Sequence, residues 1–153
     1  MAKLKTGDPA PAFEAVDQDG NMKTLADYRG RKLILYFYPK DNTPGCTAEA
    51  CSLRDGRDTL RRMGFEVVGV SPDSEKSHQG FIAKQGLNFT LLADTDKKIA
   101  EAYGVWGEKK FMGRTFMGIL RTTFVIDEQG VIEKIFDKVR TKDHFEQIVE
   151  AYQ

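Results

Sequence analysis

An apolar run in the first quarter of the chain places the strongest constraint on its fold. The run is Lys32-Leu33-Ile34-Leu35-Tyr36-Phe37-Tyr38. It shows no alternation of polar and apolar residues, and it therefore predicts a strand that is buried on both faces. Pro39 ends the run, because proline cannot donate to a sheet ladder. A doubly buried strand is typical of a sheet covered by helices on both sides.

Strand and helix signals alternate on either side of this run. A hairpin is predicted before it, from strands 13–16 and 22–25 around the turn Asp17-Gln18-Asp19-Gly20. After it we predict, in order, helix 44–63, strand 65–70, helix 74–85, strand 89–93, a short helix ending at Gly104, strands 121–126 and 131–136, and helix 142–152. This order predicts one domain over residues 1–153. Its fold class is α/β, a thioredoxin-like sandwich whose mixed central sheet is flanked by helices and extended by the N-terminal hairpin.

The segment 105–120 interrupts this rhythm, because Gly107, Gly113 and Gly118 are spaced among large apolar residues. We predict a loop with an adhesive surface there. Its three cations, at positions 109, 110 and 114, are interpreted as a solvated face. The apolar residues beside them can be core, a crystal-facing patch or a partner surface.

Composition and charge narrow the function. The 153 residues suit one compact core, and 23 basic against 23 acidic residues give no electrostatic case for nucleic acid or an anionic membrane as a partner. The first residues lack the apolar segment of a signal peptide, and no run reaches transmembrane length. We therefore expect a cytoplasmic protein.

The chain has two cysteines, and in a reducing compartment these are more often reduced, catalytic or metal-binding than a structural disulfide. The two histidines, His78 and His144, lie far from the cysteines in sequence. Metal binding is thus poorly supported, and no cofactor is expected.

Both cysteines follow directly on the apolar run, in Asp41-Asn42-Thr43-Pro44-Gly45-Cys46-Thr47-Ala48-Glu49-Ala50-Cys51. Thr43 can cap the following helix with Pro44 at its first position, which puts Cys46 in the first turn. The helix dipole stabilises a thiolate there by only about 0.3–1 kcal/mol. Since an ordinary cysteine is only about 3% thiolate at pH 7, a strongly activated Cys46 needs a further cation.

Each of these residues also has an ordinary structural interpretation. Cysteines on a helix are often small buried hydrophobic residues, and Thr43 can be a cap alone. An arginine before an apolar strand, such as Arg121, is usually a solvated strand end, and Glu49 can be an ordinary helix carboxylate.

The spacing of Pro39, Thr43 and Cys46 gives the pattern Pro-x-x-x-Thr-x-x-Cys, which resembles the active-site signature of the peroxiredoxins. The surrounding stretch from Tyr36 to Cys51 is similar to the branch called bacterioferritin comigratory protein or peroxiredoxin Q. The resemblance covers nearly the whole chain, through Gly7-Asp8-Pro9-Ala10-Pro11, Gly69-Val70-Ser71 and Arg121-Thr122-Thr123-Phe124-Val125-Ile126-Asp127.

This resemblance implies a thioredoxin-dependent peroxidase of the atypical two-cysteine type, acting in antioxidant defence on hydrogen peroxide and organic hydroperoxides. It implies that Cys46 is the peroxidatic cysteine, Cys51 the resolving cysteine, and Arg121 the active-site cation. The chemistry of the residues fits these roles. The Thr43 hydroxyl can hold the peroxide, Pro39 can shield the pocket, and Glu49 can fix the arginine. We expect thioredoxin as reductant and a monomer, with a weak dimer as the alternative.

Two other classes of function stay open at this point. A disulfide oxidoreductase or redox sensor would also use two thiols, although a thioredoxin-type enzyme needs Cys-x-x-Cys and four residues separate the thiols here. A sensor oxidises once, whereas a peroxidase consumes peroxide repeatedly. A chaperone or structural domain would keep its function after alkylation of Cys46.

Overall fold

The computed structural model describes residues 3–153, and these residues form nine strands and four α-helices. The strands are β1 Glu14–Asp17, β2 Met22–Thr24, β3 Lys32–Phe37, β4 Phe65–Ser71, β5 Thr90–Ala93, β6 Trp106–Phe111, β7 Arg114–Ile119, β8 Thr122–Ile126 and β9 Ile132–Phe136. The helices are α1 Pro44–Arg62, α2 Glu75–Gln85, α3 Lys98–Ala102 and α4 His144–Glu150.

Seven strands form one mixed sheet in the order β2-β1-β5-β4-β3-β8-β9. The β3, β4 and β5 strands are parallel, while β8 runs antiparallel to β3 and the N-terminal hairpin pairs antiparallel to β5 through β1. The predicted mixed sheet with its N-terminal hairpin is confirmed. Because β3 lies between β4 and β8 and helices cover the sheet, its apolar run is buried on both faces as predicted.

Two apolar cores lie on the two faces of this sheet. Leu35 and Phe37 of β3 point into one core, which α3 completes. Ile34 and Tyr36 point into the other, which contains Cys46 and the buried residues of α1 and α4. The alternation of strand side chains therefore decides which face carries the thiol.

Helix α1 lies tightly against the chain's last helix. A Cβ atom at Gly56 would come within 2.1 Å of Cδ1 of Phe145, so only glycine fits at this crossing. The Ser52 hydroxyl also accepts a hydrogen bond from the Phe145 backbone N–H at 3.0 Å. These contacts fix the part of α1 beyond Cys51.

The predicted loop at 105–120 is wrong, because β6 and β7 pair there as a separate two-stranded antiparallel sheet. Met112 and Gly113 form its turn with φ of +51° and +79°. Two positive φ values define a type I′ hairpin turn, which normally carries Asn-Gly. The glycines and the missing Asn-Gly signal concealed the hairpin.

Two smaller boundaries also differ from expectation. Arg121 lies just before β8 instead of inside it, and the last helix begins at His144 after a 3₁₀ turn at Thr141–Asp143. Within residues 3–153, no helix combines the length and apolarity that a membrane span requires.

Candidate active site

The turn between β3 and α1 presents the residues of the predicted signature. Pro39 and Thr43 are half-buried, and Thr43 has the extended backbone of an N-cap residue, with φ −93° and ψ 154°. Its side chain makes no cap hydrogen bond, however, so the predicted side-chain cap is wrong. The hydroxyl instead donates to the carbonyl of Lys40 at 2.8 Å, which leaves its oxygen lone pairs available as acceptors.

Cys46, Glu49 and Arg121 meet below this turn. Cys46 is only 1% exposed, and Nη2 of Arg121 donates to its Sγ at 3.3 Å. Nη1 of the same guanidinium donates to Oε1 of Glu49 at 2.6 Å. Gly45 leaves room for this fork, since a Cβ atom there would lie 3.3 Å from Nη2. The guanidinium therefore places a cation directly beside the Cys46 sulfur.

The carboxyl group of Glu49 is fully buried, and its Oε2 has no hydrogen-bond partner among the described residues. Burial raises the pKa of Glu49 to about 7, although the adjacent Arg121 acts to lower it. Only one oxygen of this carboxyl has a hydrogen-bond partner, so the protein replaces little of the hydration that burial removes. Such burial disfavours the charged form and raises the pKa of a carboxyl. Near neutral pH, Glu49 therefore neutralises the charge of Arg121 only partly.

Two further residues complete the floor of the site, and no sequence pattern pointed to either. Nε2 of His144 lies 2.8 Å from the hydroxyl of Thr123 and 3.8 Å from Oε2 of Glu49. Burial lowers the pKa of His144 to about 4, so its ring is neutral at pH 7. The buried Tyr36 hydroxyl has no partner in the described part of the chain, and burial with the nearby Glu49 raises its pKa.

Stability should fall with rising pH through the buried Glu49. Its pKa in the folded state, about 7, lies above the ordinary value of 4.5, so its contribution is present below pH 4.5 and is lost as the pH rises through 7. Replacing Glu49→Gln removes this loss. Between about pH 5 and pH 8, the free energy of unfolding of the variant should rise relative to wild type by roughly 2–3 kcal/mol.

Urea unfolding at the two pH values measures this difference. The pH dependence of stability that His144 contributes has the opposite sign. Its lowered pKa contributes stability above pH 6.5 that is lost as the pH falls towards 4. It is present in both proteins and affects the comparison only through its 3.8 Å contact with Oε2 of Glu49. The exposed Glu146→Gln is the control. A variant-to-wild-type difference that stays constant with pH would show that Glu49 is ionised throughout.

Cys51 lies apart from this cluster, although it stands on the same helix. It is half-buried against α2, where its thiol donates a weak hydrogen bond to Oε1 of Gln85 at 3.7 Å. Nη1 of Arg54 donates to the backbone carbonyl of Gln85 at 2.5 Å and holds α1 against the end of α2. Both cysteines are free thiols.

A buried network anchors the turn on its other side. The carboxylate of Asp41 accepts hydrogen bonds from the hydroxyls of Tyr38 at 2.6 Å and Ser77 at 2.8 Å, and it lies 2.8 Å from Nδ1 of His78. Nε2 of His78 faces the carbonyl of Leu92 at 3.0 Å. This contact between the turn and α2 joins residues that lie far apart in the sequence, so no local sequence pattern predicted it.

Ligand-type atoms of Asp41, Asp73 and His78 lie within 4.8 Å of one another, a spacing that a metal ion could use. The Asp73 carboxylate already accepts from the Asp41 N–H at 2.8 Å and from the Ser71 hydroxyl at 2.7 Å. Because all three residues have protein partners, we interpret the network as an anchor for the turn that carries Thr43.

A cavity of about 580 Å³ lies beside Arg121, but it is not the thiol site. Phe124 and Leu120 line it, and Phe124 belongs to the core on the sheet face opposite Cys46. The cavity therefore lies on the face of the sheet away from the Cys46 sulfur.

Comparison with known families matches residues 6–135 to the model of the AhpC/TSA family. The chain is 51% identical over 150 residues to a putative peroxiredoxin Bcp of Haemophilus influenzae, a match that covers 98% of this chain and 97% of the relative. It is 48% identical over 149 residues to peroxiredoxin Bcp of Escherichia coli, with coverage of 97% and 96%.

Solved structures give the same result for the fold. A PrxQ mutant of Xylella fastidiosa superposes with a TM-score of 0.92 at 33% identity, covering 99% of this chain and 97% of the other. The bacterioferritin comigratory protein of Xanthomonas campestris, studied for alkyl peroxide reduction, superposes with a TM-score of 0.85 at 35% identity, with coverage of 91% and 88%. The chain therefore has the thioredoxin-like fold of these proteins.

Proposed function

Because this chain belongs to the AhpC/TSA family and is a peroxiredoxin with thiol peroxidase activity, we propose that Cys46 is its peroxidatic cysteine and Cys51 its resolving cysteine. We further propose that Arg121 and Thr43 bind and polarise the peroxide, that Glu49 positions Arg121, and that Pro39 shields the pocket. The whole chain would act as a single domain.

One observation carries this assignment: Arg121 donates to the buried Cys46 Sγ at 3.3 Å in the first turn of α1. The N–H groups of Gly45 and Cys46 have no intrahelical acceptor at this position. A thiolate there is stabilised by a charged donor and by the helix N-terminus together. The remaining guanidinium and N–H donors face the place where negative charge develops on the peroxide.

The reaction proceeds in two steps. The Cys46 thiolate attacks one peroxide oxygen, the O–O bond breaks, and the other oxygen leaves as alkoxide or hydroxide, which takes a proton to become alcohol or water. Cys46 is then a sulfenic acid. The Cys51 thiol attacks its sulfur, an S–S bond forms, and the hydroxyl leaves as water. A dithiol reductant then returns both cysteines to thiols.

The second step should require α1 to open, because Cys46 and Cys51 lie on one unbroken helix. They are five positions apart on the helix, which places them about 140° apart around the axis and about 7.5 Å apart along it, beyond the reach of a disulfide. We expect oxidation to unwind residues 43–51. Beyond them, the contacts of Ser52 with Phe145 and of Arg54 with Gln85 should keep the helix intact.

Amide hydrogen exchange on the reduced and disulfide forms measures this opening. Protection of residues 47–51 should fall by at least about 100-fold on oxidation, while Leu60, which is fully buried and whose N–H bonds to a carbonyl beyond the unwound segment, keeps its protection. The Cys51→Ser variant treated with one equivalent of peroxide is the control, since its helix has no reason to open. Equal protection in both forms of the wild type would contradict the mechanism.

Hydroperoxides are the substrates that the family implies, and thioredoxin is the reductant we propose for this chain. The cycle needs a compartment in which disulfides are reduced, which supports a cytoplasmic enzyme. For its oligomeric state we propose a monomer. A peroxide-consumption assay with thioredoxin, or with glutathione and glutaredoxin, tests both the class of function and the identity of the reductant. Oxidation that stops after one equivalent with either reductant would indicate a sensor instead.

A further inference from the structure

The β6–β7 hairpin carries a concentration of exposed apolar side chains that the peroxidase reaction does not use. Phe111 and Met112 are 67% and 87% exposed, and Phe116 and Met117 are 46% and 49% exposed. We call these four residues the tip patch. Other large exposed apolar residues in the described chain are Met22 and Met63, which stand singly, and Leu120 at the base of the hairpin. Isolated cases are ordinary, whereas a cluster indicates an interaction surface.

The turn itself is held in an unfavourable conformation. Met112 has φ +51°, in the left-handed region that asparagine and glycine occupy most readily at this position. A methionine there gains no burial in return, since it is the most exposed of the tip residues. Folding of the chain does not explain this residue, but contact with something outside the chain would.

Charge indicates what that contact is. Lys109, Lys110 and Arg114 flank the tip patch against a single acid, Glu108. None of these four side chains forms an ion pair with the described residues 3–153. The net charge of zero, which argued against a membrane partner, is a property of the whole chain and conceals this local excess of positive charge.

Cross-strand register distributes these residues over both faces of the hairpin. Lys109 pairs with Phe116, and Phe111 pairs with Arg114, on one face. Glu108 pairs with Met117, and Lys110 with Thr115, on the other face. Because each face combines apolar and basic residues, the pattern suits a hairpin that inserts into its partner with the turn first, so that both faces make contact. A single apolar face would instead suit flat docking on a groove.

We propose that the β6–β7 hairpin docks tip-first on the surface of an anionic lipid bilayer. Phe111 and Met112 would enter the boundary between headgroups and acyl chains, while the three cations meet anionic headgroups. Because β6 and β7 form a separate two-stranded sheet, the outward N–H and C=O groups of both strands stay unpaired, so the strands would remain among hydrated headgroups and only the tip side chains would reach the acyl chains. Docking is independent of the thiol chemistry, although β7 leads within two residues to Arg121. It would hold the enzyme at the membrane surface.

Vesicle co-sedimentation tests this proposal on the whole protein. Vesicles of phosphatidylcholine alone are compared with vesicles that contain about one-third phosphatidylglycerol, at low and physiological salt. We expect at least tenfold tighter binding to the anionic vesicles, with weaker binding at the higher salt. The Phe111→Ser/Met112→Ser and the Lys110→Glu/Arg114→Glu double variants should each lose at least about tenfold in affinity.

Matched controls change the same chemistry elsewhere. Met22→Ser/Met63→Ser removes two exposed methionines, and Lys76→Glu/Lys84→Glu reverses two exposed charges on α2. Both should bind as wild type does, as should Cys46→Ser, which separates docking from the proposed catalysis. All hairpin variants should retain turnover of hydrogen peroxide.

Two outcomes would overturn the proposal. One is equal binding to neutral and anionic vesicles, or no binding to either. The other is unchanged vesicle binding by both the Phe111→Ser/Met112→Ser and the Lys110→Glu/Arg114→Glu variants. If these two variants instead lose thioredoxin-dependent turnover and the wild type does not bind vesicles, the hairpin would be a protein-docking surface.

Discussion

Cys46→Ser should reduce peroxide consumption to the uncatalysed background, a loss of at least about 10⁴-fold, whereas Cys51→Ser should still reduce one equivalent of peroxide at nearly the wild-type rate. The physical reason is that only Cys46 lies against the Arg121 guanidinium. Cys51 faces Gln85 on the other side of α1 and takes no part in the first step. We therefore expect the two thiols to act in different steps.

Stopped-flow oxidation with one equivalent of peroxide, followed by trapping of the sulfenic acid, measures the first step. Repeated turnover with thioredoxin measures the second. The two variants are matched controls for each other, since each replaces one sulfur by oxygen on the same helix. If Cys51→Ser forms no sulfenic acid, the assignment of roles is wrong. Partial turnover in Cys51→Ser would indicate rescue by small thiols or by a cysteine of the reductant.

Arg121→Ala should slow oxidation of Cys46 by roughly 10²–10³-fold, because it removes the charged donor from the sulfur and from the developing oxyanion. The helix N-terminus that remains provides only about 0.3–1 kcal/mol. Arg121→Lys should recover only part of the rate. The ammonium of lysine lacks the planar fork of donors, in which two separate guanidinium nitrogens reach Cys46 and Glu49 at 3.3 and 2.6 Å.

Thiolate absorbance as a function of pH, together with the second-order rate constant for peroxide, measures this effect. Arg61→Ala changes an exposed arginine at the far end of α1 and serves as the control. Urea unfolding of each variant separates loss of chemistry from loss of structure, because Arg121→Ala also leaves the buried Glu49 carboxyl without its partner. An identical thiolate titration in wild type and Arg121→Ala would refute the role of Arg121 in activation.

Local sequence patterns determined most of the secondary structure. The apolar run of β3 has no polar face and can only be an interior strand, and Pro44 and Gly64 bracket a helix close to the observed Pro44–Arg62. These signals are local, because they depend on the chemistry of neighbouring residues along one element. The position of Cys46 at the junction of β3 and α1 follows from them, and the signature around it indicated the family.

The hairpin at 106–119 escaped prediction because its turn breaks the usual rule. Met112 occupies a position where asparagine would have revealed a type I′ turn, and Gly107 and Gly118 weaken the strand pattern on both sides. Cross-strand pairing overcame weak local preferences. The tip patch can be recognised only in the folded structure, where the paired strands bring its four residues together.

Tertiary structure decided the arrangement of the candidate site. Arg121 meets Glu49 across 72 residues of chain and Cys46 across 75, because β8 pairs with β3 and so brings its first residues beside the first turn of α1. Burial at this meeting point raises the pKa of Glu49 and lowers that of His144. The sequence by itself determined which residues could react. Only the packed sheet decided their neighbours and their charges, since hydration and distance are properties of the folded chain.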